Sequence, residues 1–137
     1  MSVLLSIKPK YVEKIFSGEK KYEFRRKIFR RRDINRIYIY SNSNVKKIVG
    51  SFEVKRIISD KPENIWGICH RYGGISKNEF FKYFLGAKKG FAIEIKNVHK
   101  FYEPIDPYSA IENFTPPQSF YYIDASFFNK SDMKYGE

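Results

Sequence analysis

Cysteine is nearly absent. Cys69 is the single one in 137 residues, which excludes an internal disulfide framework. Histidine is almost as scarce, with His70 beside Cys69 and only His99 elsewhere. That is too few ligands at the wrong spacing for a structural zinc, so no metal is expected and Cys69 reads as a buried helical thiol. No apolar run approaches the roughly 18–20 residues that a membrane span requires. The residues after Met1 enter an ordinary strand pattern without a basic leader or cleavage site, so a cytoplasmic protein is expected. There is no Gly-x-Ser-x-Gly elbow, no Walker-type phosphate loop and no His-Glu-x-x-His, and nothing else calls for a cofactor. Acidic residues are also in short supply. Asp and Glu number 15 against 26 Lys and Arg, a net charge of +11 that favours a polyanionic partner such as nucleic acid or else an anionic membrane surface, between which charge alone does not choose.

What is present is apolar surface. Hydrophobic residues make up 42% and aromatics 18% of the chain, enough to fold despite 30% charged residues, and the length suits one core. Residues 3–7 (Val-Leu-Leu-Ser-Ile) form a short, nearly continuous apolar run, expected as a central strand covered on both faces. Pro9 opens a helix with Tyr11, Val12, Ile15 and Phe16 on one face, stopped at Gly18. Over residues 20–26 the period falls to two, Tyr22 and Phe24 alternating with Glu23 and Arg25, so Glu23 and Arg25 share a strand face. Residues 37–40 and 48–58 read as further strands.

Asp60, Pro62 and Glu63 start a helix that buries Ile65, Trp66 and Cys69 and stops at Gly73-Gly74. Ser76 and Glu79 form a capping box, with Ile75 stapled to Phe80, for a second short helix before Gly86. Residues 91–95 resume a strand, after which Pro104, Pro107, Pro116 and Pro117 break the pattern. The expected division is one domain over 1–124 and a tail over 125–137, with Phe127 and Phe128 as candidate docking points. Glu53 and Glu94 read as solvated strand carboxylates without a role.

The charge is concentrated. Residues 20–36 hold nine basic side chains against only Glu23 and Asp33, which is +7 of the total +11. Such crowding costs self-repulsion unless phosphates neutralise it, which points to Lys21, Arg26, Lys27, Arg30, Arg31, Arg32 and Arg36 as contacts for a nucleic-acid backbone; a solvated loop is the plain alternative. Tyr38 and Tyr40 alternate with Ile37 and Ile39. If the isoleucines face the core, the tyrosines either present rings for base stacking, with Tyr40 the candidate, or form a second apolar layer.

The ordered set Leu5-Ser6-Ile7-Lys8-Pro9, the amphipathic helix, and Gly18-Glu19-Lys20-Lys21-Tyr22-Glu23-Phe24-Arg25 resembles the opening of the ASCH domain family. The likeness continues through residues 49–54, the paired helices, residues 90–95 and residues 116–120, covering roughly 2–123. The resemblance implies an α+β, mostly β, PUA-like β-barrel with an N-terminal helix and a pair of short inserted helices, binding RNA or a modified nucleotide in a cleft. The family's Gly-x-Lys-x-x-Glu-x-Arg-like stretch is matched by Gly18, Lys20, Glu23 and Arg25.

The expected ligand site is Lys8, Lys20, Glu23, Arg25 and Tyr40, where lysine and arginine hold a phosphate or base oxygen and Glu23 accepts from a base amino group or orients Arg25; a structural Glu23–Arg25 ion pair is the plain alternative. Some small ASCH proteins deacylate a modified cytidine with a lysine, a threonine and a glutamate. Lys20 matches the lysine, but Glu23 stands at the threonine position and Gly73 at the glutamate position, so that chemistry is not expected. A nucleic-acid-binding module, with a regulatory role open to it, is the leading expectation. A ribonuclease, with Lys8, Lys20, Glu23 and Arg25 supplying acid, base and charge stabilisation, or another nucleoside-directed hydrolase is the second, and a protein-interaction or coactivator-type subunit of transcription or translation the third. Gln118, Ser119 and Phe120 either line the cleft, or residues 120–123 form a strand that closes the barrel.

Overall fold

A computed structural model of the chain describes residues 1–124; the expected tail, with Phe127 and Phe128, lies outside them. Six strands form one sheet in the order β2-β5-β4-β3-β1-β6. They are β1 (Ser2–Ile7), β2 (Tyr22–Arg25), β3 (Arg36–Ser41), β4 (Lys47–Asp60), β5 (Gly90–Ile105) and β6 (Phe120–Ile123). Helix α1 (Pro9–Ser17) follows β1. Helices α2 (Pro62–Cys69) and α3 (Lys77–Tyr83) sit between β4 and β5, and the one-turn α4 (Pro107–Ala110) precedes β6.

The apolar run of β1 is interior, paired parallel with β3 and antiparallel with β6. Its alternate residues enter different cores: Val3, Leu5 and Ile7 join Ile37, Ile39, Phe52 and the α1 residues Val12 and Ile15, whereas Leu4 joins Tyr38, Tyr40, Phe101 and Phe114. A period of two with both faces covered reads as a continuous apolar string, as the sequence implied. Pro9 stands at the start of α1, and Gly18 ends it at φ 87°, a left-handed conformation that costs glycine nothing.

Three expectations change. The strand expected over 91–95 runs on to Ile105, through Asn97 at φ 50° and past Pro104, because its partner β4 is nearly as long and register shifts absorb the irregular residues. Tyr40, expected as a candidate stacking platform, is 1% exposed and packs against Phe114 at 5.6 Å between ring centroids. The 101–114 segment covers that face, which makes it the second apolar layer. Among the described residues the sheet also does not close by strand pairing: β6 pairs only with β1 there, leaving β2 and β6 as its two edges. The expected mostly β, α+β fold is there, but the strand pairing leaves an open seam and shows no closed barrel.

The paired helices cover the outer face of the β2 edge. Phe24 lies under Phe80 and Phe84 in edge-on ring contacts at 5.0 and 6.5 Å, with Ile65, Cys69 and Ala92 completing that core. Burial pushes the Cys69 thiol up to about 11, the behaviour of a structural rather than a reactive cysteine. Ser76 caps α3 by accepting from the Glu79 N–H, whereas the Glu79 carboxylate turns away to Tyr11 and Lys10 of α1 at 2.6 and 3.0 Å.

At Gly50 the strand passes directly beneath α1. An added Cβ would sit 2.3 Å from the His99 carbonyl and 2.8 Å from the Phe16 ring, and a paired strand cannot retreat as a flexible side chain can. Gly50→Ala is expected to lower the unfolding free energy by about 1–3 kcal/mol, the usual cost of overpacking, measured by chemical denaturation; an unchanged midpoint would contradict the close approach of the His99 carbonyl and the Phe16 ring.

Candidate nucleic-acid cleft

The open seam of the sheet holds a cleft of about 820 Å³ between the ends of β1 and β2, walled by α1, α3 and the segment before β6. Seven basic side chains line it (Lys8, Lys10, Lys20, Arg25, Arg26, Lys27 and Lys82) against two carboxylates, Glu23 and Glu79.

Lys20, Glu23 and Arg25 form its floor. The period of two in β2 places Glu23 and Arg25 on the cleft side while Phe24 turns to the helix pair. Lys20, just before the strand, is 2% exposed and donates to the Gly73 carbonyl at 2.6 Å. Its ammonium lies 3.8 Å from Glu23 Oε1, beyond a hydrogen bond but well within Coulombic reach. The rings of Phe24 and Tyr11 stand 4.7 and 5.1 Å away. Burial is the largest influence, only partly offset by Glu23, and it lowers Lys20 from 10.5 to about 8.

Arg25 joins the two sides of the seam. Its Nη1 donates to Glu23 Oε2 at 3.2 Å and to the Ser6 carbonyl of β1 at 3.1 Å, and its Nη2 donates to Ser119 Oγ at 2.7 Å. Ser6 N–H in turn donates to the Ser119 carbonyl at 3.0 Å. One N–H of Nη2 and that of Nε have no hydrogen-bond partner among the described residues.

The structure therefore brings Lys8, Lys20, Glu23 and Arg25 into one cleft, with Lys8 exposed at its rim, and leaves Tyr40 in the second core. The Glu23–Arg25 ion pair exists and faces the cleft, so the structural and the binding readings of that pair describe the same contact.

The basic segment divides. Arg26 donates to the Tyr83 and Leu85 carbonyls at 2.8 and 2.9 Å, a cation at the C-terminal end of α3. Arg36 is held by Ser51 and Glu53, and Arg31 forms a fork with Asp33 at 2.9 and 2.6 Å. The Lys21 ammonium sits over the Tyr72 ring. Lys27, Arg30 and Arg32 are exposed, with no side-chain partner among the described residues.

Several cleft residues were not singled out from the sequence. Gly73 and Gly74 read as a helix stop, but Gly73 accepts from Lys20, and a Cβ on Gly74, at φ 64°, would meet the Lys20 Cβ at 2.7 Å. A double glycine where one would end a helix was the available signal. Tyr11 and Ser6 carried none, because their helix and strand patterns account for them fully. Gln118 and Ser119 line the cleft but Phe120 does not, and residues 120–123 form a strand on β1 that does not close the sheet.

Lys20 gives a signed pH dependence. Between about 8 and 10.5 the unfolded chain holds the Lys20 proton and the folded chain does not, so stability rises with pH across that window. The burial penalty is present in full below 8 and gone above 10.5. Relative to Lys20→Met, the wild type should gain about 3 kcal/mol over the window, read from denaturation midpoints at a series of pH values. A parallel profile for the two proteins would contradict the buried ammonium.

The comparisons bear on the family and the fold. An ASCH domain-containing ribonuclease from Zymomonas mobilis is 30% identical over 122 residues, which is 85% of this chain and 80% of that protein. The crystal structure of ASCH from Zymomonas mobilis superposes with a TM-score of 0.85 at 27% identity, covering 92% of this chain and 90% of that one. A single-substitution variant of it gives a TM-score of 0.84 at 26% identity over 92% of both chains. Large ribosomal subunit protein uL22 of Ureaplasma parvum is 27% identical over 105 residues, 77% of this chain but only 34% of that protein. The ASCH domain model matches residues 5–106, a span that runs from the middle of β1 to the end of β5 and contains Lys8, Lys20, Glu23 and Arg25. The chain belongs to the ASCH domain family.

Proposed function

We propose that this protein binds single-stranded RNA in the seam cleft and cleaves it at the 2′-hydroxyl. The observation that carries the reading is Lys20, a buried amine lowered to about 8, beside an arginine with N–H groups to spare, at the bottom of a basic cleft. The relative named as a ribonuclease, similar over most of both chains, supports the same direction.

RNA brings its own nucleophile, so the protein must supply a base, an acid and a stabiliser of charge on phosphorus. Neutral Lys20 takes the 2′-hydroxyl proton as that oxygen attacks phosphorus and the bond to the 5′-oxygen breaks. Arg25 donates to the non-bridging oxygens of the phosphorane-like transition state. The Lys8 ammonium at the rim protonates the departing 5′-oxygen, leaving a 2′,3′-cyclic phosphate and a 5′-hydroxyl. Glu23 fixes Lys20 and Arg25 relative to each other through its two carboxylate oxygens. A cleft of this volume admits a nucleotide but not a duplex, which favours an unpaired strand.

Cleavage of a labelled single-stranded RNA should rise with pH and level off near 8, as Lys20 loses its proton. Lys20→Met and Arg25→Lys, checked for folding by circular dichroism, should each lose at least roughly 100-fold in rate, the ordinary contribution of a general base or an oxyanion donor. Tight, salt-dependent binding without any product from the wild type would reduce the function to recognition alone. Unchanged cleavage by Lys20→Met would remove Lys20 from the reaction.

A further inference from the structure

A second groove, of about 670 Å³, lies beyond the seam between the loop of residues 26–35 and the strands β4 and β5. Two features make it continuous with the cleft. Along the loop, Arg26 and Lys27 line the cleft, and the next residues, from Ile28, line the groove. Across the sheet, Arg25 is paired with Phe91 and Phe91 with Ser59. Paired residues point to the same face with Cβ atoms about 5 Å apart, so one row of side chains runs from the cleft floor into the groove.

The groove has the composition of a strand-binding surface. Arg30, Arg31, Arg32 and Lys55 line it without a carboxylate, around the half-buried Phe91 and the exposed Ile57. The wall is anchored: Phe29 and Ile34 are buried in the main core, Phe29 packs edge-on against Phe120 at 5.9 Å, and the Arg30 and Arg31 N–H groups donate to the Tyr122 hydroxyl at 3.0 and 3.1 Å. Asp33 offsets Arg31 and Glu94 draws Lys55 to 3.5 Å, which leaves Arg30 and Arg32 as the cations open to a ligand. Fixed backbone with outward guanidinium groups beside a ring is how sequence-tolerant single-strand sites are built.

We infer that the groove is a second subsite for the same RNA strand, taking the nucleotides that flank the one held in the cleft, with a base against Phe91 and phosphates on Arg30 and Arg32. The inference rests on the proposed RNA reading of the cleft. It explains why the charge of the 26–35 loop extends well past the cleft and why the loop is tied down at both Phe29 and Tyr122.

The test compares a non-cleavable 2′-O-methyl dinucleotide with a 2′-O-methyl octanucleotide by fluorescence anisotropy over a range of salt. The wild type should favour the octamer. In Arg30→Ala/Arg32→Ala that advantage should fall roughly tenfold, and the salt slope for the octamer should drop by about 1.4, near 0.7 for each single-strand phosphate that the protein no longer neutralises. Phe91→Leu, which keeps an apolar side chain, should lose several-fold on the octamer with the slope unchanged. An octamer advantage that is absent in the wild type, or equal in wild type and double variant, overturns the groove while leaving the cleft standing. Failure of the wild type to bind either ligand overturns both.

Discussion

The Arg25 guanidinium is the contact on which the cleft depends. Among the described residues the sheet has two edges, and no strand pairing joins them. Arg25, from one edge strand, reaches a β1 carbonyl and the hydroxyl just before β6 while holding Glu23 on its own strand. A backbone ladder across this gap would have consumed the N–H and C=O groups and filled the space with paired strands. A side-chain bridge fixes the distance between the edges and leaves a cavity, with donors still unspent. The planar fork suits this task, since one group must make several directed bonds at once.

Burial of Lys20 follows from the same arrangement. Closing the helix pair over β2 drives the lysine stem against Gly74 and its ammonium toward Gly73. Glu23 then serves two cations at once, and neither ion pair is ideal, the longer at 3.8 Å. Buried charges in such a cluster rarely add stability compared with apolar packing. On the proposed reading their value is chemical: a lysine that loses its proton near 8 is a usable base, and the surrounding positive charge draws a phosphate toward it.

Much of this was legible in the sequence because it rests on local periodicity. The shared face of Glu23 and Arg25 followed from the two-residue repeat, α1 from Pro9 and Gly18, and the α3 cap from Ser76. The charge concentrated over residues 20–36 divides between the cleft, which takes Lys20, Arg25, Arg26 and Lys27, and the groove beside it. What could not be read depends on distant chain segments meeting. Tyr40 alternates with isoleucine whether or not something covers it, and its burial is decided by Phe114, more than 70 residues on. The open seam is set by which strand β6 chooses, and Gly73 and Gly74 look alike whether they end a helix or receive Lys20. Arg26 and Arg36 count toward net charge just as Arg30 and Arg32 do, yet they are occupied by protein partners that only the fold supplies.

The central claim is that the cleft acts on the 2′-hydroxyl of an unpaired strand. The most direct measurement is incubation of the protein with a DNA oligonucleotide carrying one ribonucleotide, with the products read by mass spectrometry. A single cut on the 3′ side of that ribonucleotide, giving a 2′,3′-cyclic phosphate or its hydrolysis product and a 5′-hydroxyl, is the predicted result. Cuts at deoxynucleotides, or fragments ending in a 5′-phosphate, would contradict it.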